Sequence, residues 1–417
     1  MSAIIEKHDP YEALRIKEFR IFLSARFITT LATQMQALIV GWQVYEITKD
    51  PFSLGLIGLA EAIPFMCMAL FAGHIADIIN RRKIILITVF IYFLCAVILM
   101  MFTFNLSDIL VLYGTLPIYL VIGLTGFARA TVYPAQMAFV AQIVPRNLYA
   151  NSSTWNSAAW HIAAVTGPAI GGLIYGFFGI TNAYITVIIL VFTGLVLYSA
   201  TKKKDILPKE IKESLVQSLS KGVKFVFKNQ IILGSLSLDM FAVLFGGAVA
   251  MLPVFADKIL NVGPQGLGFL RAAPAVGAVI MSLFLAYYPP IKKTGIKLLY
   301  SVACFGICII LFAISKNIYL SIFLLMMSGM FDNVSYVIRQ TIIQLYTPDN
   351  MRGRVAAINS VFIGSSNEIG SFESGLAAKI MGLIPSVIFG GSMTLVVVSV
   401  TAKFAPLLKK MNFNKNK

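Results

Sequence analysis

Residues 126–172 read GFARATVYPAQMAFVAQIVPRNLYANSSTWNSAAWHIAAVTGPAIGG, and residues 329–375 read GMFDNVSYVIRQTIIQLYTPDNMRGRVAAINSVFIGSSNEIGSFESG. A shift of 203 residues (329 − 126) aligns the two stretches without a gap and matches eight identical residues. The pairs are Gly126/Gly329, Tyr133/Tyr336, Pro145/Pro348, Asn147/Asn350, Asn156/Asn359, Ser157/Ser360, Gly167/Gly370 and Gly172/Gly375. The chain is therefore predicted to contain two copies of one structural unit.

The composition around these copies is that of a membrane protein. Of 417 residues, 58% are hydrophobic and 12% charged, and the mean hydropathy is +0.83. A soluble domain carries about 25% charged residues, because its surface faces water. Twelve apolar segments are long enough to span a bilayer. We place the predicted spans at 21–47, 53–79, 84–104, 110–141, 151–178, 181–200, 230–256, 265–289, 297–315, 317–346, 355–383 and 385–403.

The basic residues indicate the orientation of the chain. The net charge is +16, and the Lys and Arg clusters fall in every second gap between the predicted spans. This is the positive-inside pattern, so both termini and the long central loop are predicted to be cytoplasmic. Bases spread over alternate loops do not form a nucleic-acid surface. The four cysteines lie inside apolar runs and indicate no disulfide framework, and we expect no metal site and no cofactor.

The predicted organisation is an all-α membrane protein of twelve transmembrane helices in two pseudo-symmetric six-helix bundles. We assign residues 1–200 to the N-terminal bundle and 230–404 to the C-terminal bundle. Residues 201–229 form a cytoplasmic linker, either an amphipathic helix at the interface or a solvated connection, and 405–417 a cytoplasmic tail. Parallel six-span repeats place a substrate site between the halves near the bilayer midplane.

The loop after predicted span 2 carries the first family motif. Its residues are Gly73, Asp77, Arg81, Arg82 and Lys83, and they resemble the cytoplasmic loop motif of the major facilitator superfamily. Asp77 lies at a helix end, where it can pair with bases or with the N-terminus of another helix. We expect a cytoplasmic latch that forms in one conformation and breaks in another. The chain departs from the family pattern at Ile78 and Asn80.

Predicted span 5 contains Gly167, Pro168, Gly171 and Gly172, which resemble the antiporter motif of the same superfamily. Proline bends a helix, and glycines let another helix approach closely. The motif indicates export, although a glycine-rich packing face would explain the same residues. Ala163 stands where the family has a further glycine.

The third resemblance is the most specific, and three segments in and around predicted spans 1, 2 and 11 carry it. They are Gly41-Trp42-Gln-Val-Tyr45, Leu54-Gly55-Leu56-Ile57-Gly58, and the run from Thr347 through Arg352, Arg354, Asn359, Asn367, Glu368 and Glu373 to Gly375. They resemble the exporter branch related to enterobactin and macrolide efflux proteins. The resemblance covers essentially the whole chain. It implies export of an amphipathic siderophore or drug-like molecule across the bacterial inner membrane, driven by proton antiport.

Charged residues inside the predicted spans are the candidates for substrate and proton binding, because each costs at least about 2.5–3.5 kcal/mol in hydrocarbon. The candidates are Arg26, Glu61, Arg129, Asp239, Arg271, Asp332, Arg339, Glu368 and Glu373, with Gln34 as a neutral polar residue. Arg129 and Asp332 occupy equivalent repeat positions, so their charges could face each other across the pseudo-axis. Asp239 could instead be the partner of a base.

Four acids, Glu61, Asp332, Glu368 and Glu373, lie well inside their spans and are candidates for carrying a proton. Glu368 is the foremost candidate, with a structural ion pair to Arg339 or Arg271 as the alternative. We expect a monomer in a lipid bilayer that binds a small-molecule substrate and protons but no nucleic acid. The alternatives are a proton-coupled importer, a non-transporting sensor on the same fold, and an intramembrane enzyme. The sequence disfavours an enzyme because it shows no His-Glu-x-x-His pattern.

Overall fold

The computed structural model describes residues 11–104, 107–204, 215–348 and 351–413, and these residues contain helices but no strand. We number the twelve long helices α1–α12. They are α1 Lys17–Thr48, α2 Pro51–Ile78, α3 Arg81–Met101, α4 Leu116–Ile143, α5 149–178, α6 180–199, α7 Gln230–Ile259, α8 Gly263–Tyr287, α9 Thr294–Ile314, α10 Ile318–Tyr346, α11 Arg352–Met381 and α12 Leu383–Phe404. The predicted fold class is confirmed. Helices α1–α6 form the N half and α7–α12 the C half.

The hydropathy of these helices separates two groups. Within the described residues, nine helical stretches are long and apolar enough to cross a membrane. One of them, Asn151–Ser199, is 49 residues long and is divided into α5 and α6 by Gly179, whose φ is 83°. Helices α1 and α11 are not among the nine, since polar side chains such as Gln34, Gln36 and Glu368 lower their hydropathy.

The helix ends follow local sequence signals. Gly179 and Gly382 both have positive φ, 83° and 90°, and they separate α5 from α6 and α11 from α12. They are also 203 residues apart (382 − 179), so the repeat extends to the two tight turns. Asparagine side chains cap two other helices: Asn229 accepts from the backbone of α7, and Asn317 from that of α10. Such caps satisfy amide groups that a helix start leaves unpaired.

One spanning helix departs from its predicted span, and the central linker contains a helix, one of the two structures expected there. Helix α7 is interrupted at Gly246–Gly247, between Gln230–Phe245 and Ala248–Val254, and it ends in a wider turn, Phe255–Ile259. In the central linker, Leu215–Lys228 is a helix. Its Gly222 packs against Ile358 and Arg354 of α11, so this helix belongs to the surface of the C half.

The two halves meet along two helix pairs, α2 with α11 and α5 with α8. An even number of alternating spans puts the start of α1 and the end of α12 on one face, which we call the terminal face. The pairs cross closest on the opposite face. A side chain at Gly58 of α2 would come within 2.7 Å of the Glu368 carbonyl oxygen in α11, and one at Gly268 of α8 within 2.8 Å of the Pro168 carbonyl oxygen in α5. Small residues thus allow backbone contact between the halves.

Candidate functional site

Three charged side chains from three helices meet between the halves. The Arg129 guanidinium places Nη1 at 2.9 Å from Glu61 Oε1 and Nη2 at 2.7 Å from Glu368 Oε1. Each of the three lies well inside its helix, and Arg129 is at the middle of α4. The carboxylates are mostly covered, with side-chain exposures of 21% and 13%, and Arg129 is 40% exposed. One arginine therefore bridges two acids at mid-depth, and its bond to Glu368 crosses from the N half to the C half.

Two further residues surround this cluster. The Arg129 guanidinium lies over the Phe65 ring, 4.9 Å from its centroid, a favourable cation–π arrangement. Arg271 of α8 lies near enough to Glu61 and Glu368 to interact with both electrostatically, and its Nη1 donates to the Ala37 carbonyl of α1 at 3.2 Å. Two acids and two bases sum to zero formal charge when all are ionised. Phe65 carries no sequence signal that separates it from other span aromatics.

Two other predicted candidates are paired inside one half. Arg26 is 7% exposed and donates from Nη1 to Asn156 Oδ1 at 2.8 Å, joining α1 to α5. Asp239 forms an ion pair with Arg339, joining α7 to α10, and both side chains are less than 10% exposed. The expectation that Asp239 is the partner of a base is confirmed. Both pairs stabilise packing within their halves, because they are covered and do not reach the interface.

The remaining acids are placed differently. Asp332 is exposed and Glu373 half-buried, and neither has an ion pair in the described part of the chain. Arg129 and Asp332 do not pair in this conformation, since both guanidinium contacts of Arg129 go to glutamates. Glu368 likewise bonds to Arg129 rather than to either base considered from the sequence. Gln34 lies against Gly167, where a side chain would come within 2.8 Å of its Cβ.

On the opposite face, side chains near the helix ends tie the halves together. Tyr45 donates its hydroxyl to Asp257 Oδ2 at 3.1 Å, and Lys49 Nζ lies 3.4 Å from the same oxygen. Lys379 Nζ lies 3.9 Å from Asp50 Oδ2 and 4.6 Å from the centroid of the Phe52 ring. Apart from Tyr45, which ends one of the family segments, these residues belong to no sequence motif, and only their position at span ends could have suggested them. Together they close this face.

Two exposed tyrosines lie on the terminal side of the cluster. Tyr133 of α4 and Tyr336 of α10 occupy equivalent repeat positions, one turn beyond Arg129 and Asp332, and they lie near each other electrostatically. Their exposures are 53% and 45%. Their exposed surface lies on spanning helices of different halves, on the terminal side of the Arg129 contacts. The side-chain and backbone contacts that join the halves near helix ends thus lie on the opposite face.

The loop motif after α2 contacts the end of α6 and the start of the central linker. Arg82 Nη2 donates to the Ser199 carbonyl at the end of α6 at 2.5 Å. Asn80, one of the departures from the family pattern, donates from Nδ2 to the Lys204 carbonyl at 2.8 Å. The side-chain environments of Gly73 and Asp77 lie outside the described part of the structure. The described contacts of Arg82 and Asn80 therefore tie the end of α2 and the start of α3 to the end of α6 and the residues after it.

The glycines of the second motif are packing contacts to two helices. Gly167 and Gly171 lie against Leu31, Gln34 and Met35 of α1, while Gly172 lies against Gly268 of α8. The motif therefore fixes α5 to its own half and lets it touch the other. Within the described residues there is no group of three or more His, Cys, Asp or Glu that could hold a metal ion.

Comparisons with known proteins agree with this architecture. The family model described as "Transmembrane secretion effector" matches residues 8–416. The Staphyloferrin A transporter of Staphylococcus aureus is 21% identical over 91% of this chain and 94% of its own length. The enterobactin exporter EntS of Shigella dysenteriae serotype 1 is 25% identical over 91% of this chain and 89% of its own length.

The fold is also that of solved transporters. A POT family transporter in complex with 5-aminolevulinic acid superposes with a TM-score of 0.73 at 12% identity, covering 94% of this chain and 96% of that one. A bacterial homologue of the iron transporter ferroportin gives a TM-score of 0.71 at 15% identity, covering 95% and 99%. At these identities the likeness concerns the fold alone.

Proposed function

The chain belongs to the transmembrane secretion effector family of the major facilitator superfamily, and from this premise we propose that it exports an amphipathic siderophore or drug-like molecule by proton antiport. The chain is a multi-pass membrane transporter. A siderophore-class substrate is supported by the two relatives, which are named as a transporter of staphyloferrin A and an exporter of enterobactin. The membrane is the bacterial inner membrane, and the positive-inside pattern puts the terminal face in the cytoplasm.

The observation that carries the mechanism is the bond between Arg129 and Glu368 across the two halves at mid-depth. Protonation of Glu368 removes its negative charge and weakens that bond, because the Coulomb attraction between the guanidinium and the carboxylate is lost. Binding of a proton to Glu368 therefore weakens the attraction between the two halves beside the central space proposed for the substrate. When Glu368 is protonated, the ion pair with Glu61 still holds the Arg129 guanidinium in place.

The cycle alternates between two arrangements of residues 1–200 and 230–404, which rock as units around the central space. In the arrangement described here, Glu368 is ionised and paired, and the space is open to the cytoplasm to receive substrate. Rocking carries the substrate to the outside, where a proton binds to Glu368 in exchange. The protonated transporter returns to the cytoplasm-open arrangement and releases the proton there.

The proposal is tested by the direction of transport in inside-out membrane vesicles with an acidic lumen. Vesicles containing this protein should accumulate a radiolabelled siderophore, and an uncoupler that collapses the gradient should abolish the accumulation. Vesicles containing Arg129→Gln should accumulate little, whereas vesicles with Lys316→Gln, an exposed lysine between α9 and α10, should match the wild type. Accumulation only in right-side-out vesicles with an acidic exterior would reverse the direction and make the protein an importer.

A further inference from the structure

A groove of about 320 Å³ opens on the terminal face, away from the central space. It lies between the end of α8 and the last turns of α10. Its lining includes Leu285, Ile291, Val337, Thr341, Leu345 and Phe413. Thr341 has the only polar side chain among the lining residues, and its hydroxyl already donates to the Val337 carbonyl at 2.8 Å. The groove therefore offers hydrocarbon contact and no free side-chain donor for a polar solute.

The C-terminal tail builds one wall of this groove. The Phe413 amide donates to the Ile291 carbonyl at 3.0 Å, and the Gly295 amide donates to the Met411 carbonyl at 3.2 Å. The Lys293 amide donates to Asn412 Oδ1 at 2.5 Å. These bonds hold residues 411–413 beside the turn between α8 and α9. The groove is thus a formed feature, because its wall does not depend on a single side chain.

The rim of the groove is basic. Lys292 and Lys293 directly follow the lining residue Ile291, and both are exposed. Lys409 and Lys410 of the tail are also exposed, and the Lys409 carbonyl lies against Gly295. An apolar cleft at the end of spanning helices with several lysines at its mouth matches an anionic lipid, whose headgroup carries the negative charge and whose chains are hydrocarbon.

We propose that this groove, the tail groove, binds an anionic phospholipid of the leaflet at the terminal face. An acyl chain lies against Val337, Thr341 and Leu345, and the phosphate meets Lys292 and Lys293. The lipid joins α8, α10 and the tail at the terminal face of the C half. The site is separate from the charge cluster, so it does not depend on the substrate or on the direction of export.

The test compares lipids by thermal unfolding of the purified full-length protein in detergent. Phosphatidylglycerol, which is anionic, should raise the melting temperature more than zwitterionic phosphatidylcholine of the same chains, because a ligand that binds only the folded state stabilises it. The difference should be lost in K292Q/K293Q, which removes the basic rim, and in Thr341→Trp, which fills the groove. It should persist in Lys228→Gln, which removes an exposed lysine elsewhere on the terminal face.

Native mass spectrometry of the same variants gives a second readout that does not depend on their stability. The wild type and Lys228→Gln should retain bound phosphatidylglycerol, and K292Q/K293Q and Thr341→Trp should lose most of it. Equal stabilisation by the two lipids, or an equal loss in Lys228→Gln and K292Q/K293Q, would overturn the proposal. Retention of the lipid in Thr341→Trp, or displacement of siderophore instead of lipid by this variant, would also overturn it.

Discussion

A close backbone contact between the halves, at Gly58 of α2, gives a sharp conformational prediction for Gly58→Ala. In the present structure a Cβ at this position would lie 2.7 Å from both the Glu368 carbonyl oxygen and Ser371 Cβ, whereas ordinary contact begins at 3.4 Å. The helices α2 and α11 must therefore separate by about 0.7 Å (3.4 − 2.7) on the opposite face. Overpacking of this kind costs about 1–3 kcal/mol. This cost falls only on the arrangement that is closed on the opposite face. The equilibrium between the two arrangements of the halves should therefore shift about 5- to 150-fold toward the arrangement in which that face is open.

The assay is a distance measurement between spin labels at Ile47 and Ile380, two exposed positions on that face in different halves. The native cysteines are first replaced, and the distance distribution between the two labels is measured by pulsed electron paramagnetic resonance. Gly58→Ala should increase the population with the longer distance. Gly41→Ala is the matched control, since its Cβ would lie between the halves but 3.9 Å from Arg271 and Pro253. Identical distance distributions in wild type, Gly58→Ala and Gly41→Ala, with all three eluting as folded protein, would refute the reasoning.

Two further predictions concern pairs of opposite charge. Removing either partner of Asp239–Arg339, as in Asp239→Asn or Arg339→Met, should destabilise the protein by about 3–5 kcal/mol because it leaves a covered group unpaired, while the double variant should recover much of the loss. Unfolding midpoints at one fixed scan rate would measure this, and unchanged midpoints in the single variants would contradict it. Lys49→Gln should cost about 1 kcal/mol or less, because Lys49 and Asp257 are 55% and 36% exposed and water screens the pair. A large shift of the label distance in Lys49→Gln would show that this pair alone holds the face closed.

The fold was predictable because the repeat and the hydropathy are properties of the sequence itself. Eight identities at one offset defined two copies, and the same offset relates the turns at Gly179 and Gly382. The interruption of α7 at Gly246–Gly247 was not predicted, since two glycines inside an apolar run are also compatible with a continuous helix. Helix α1 was found from length and apolar content although its polar residues lower its hydropathy.

Which residues belong to the candidate site could be predicted from the sequence. Which of these residues contact each other was much harder to predict. Glu61, Arg129 and Glu368 were all selected as charges inside spans, but their contacts depend on how α2, α4 and α11 rotate and cross. The crossing of α2 and α11 is set by backbone contact at Gly58, a feature that the spacing of charges does not contain. Repeat symmetry allowed Asp332 to lie opposite Arg129, and the partners that Arg129 has in the structure are Glu61 and Glu368 instead.

The most direct test of the proposed coupling follows the pH inside inside-out vesicles. The lumen is first acidified and its pH is reported by a fluorescent amine, and a siderophore is then added to the outside. The wild type should show substrate-induced loss of lumenal protons, Glu368→Gln should bind substrate without this proton movement, and Glu373→Gln should retain it as a matched carboxyl control. Proton movement that survives in Glu368→Gln would contradict the assignment of the coupling acid, and its absence from the wild type with transported substrate would contradict proton antiport.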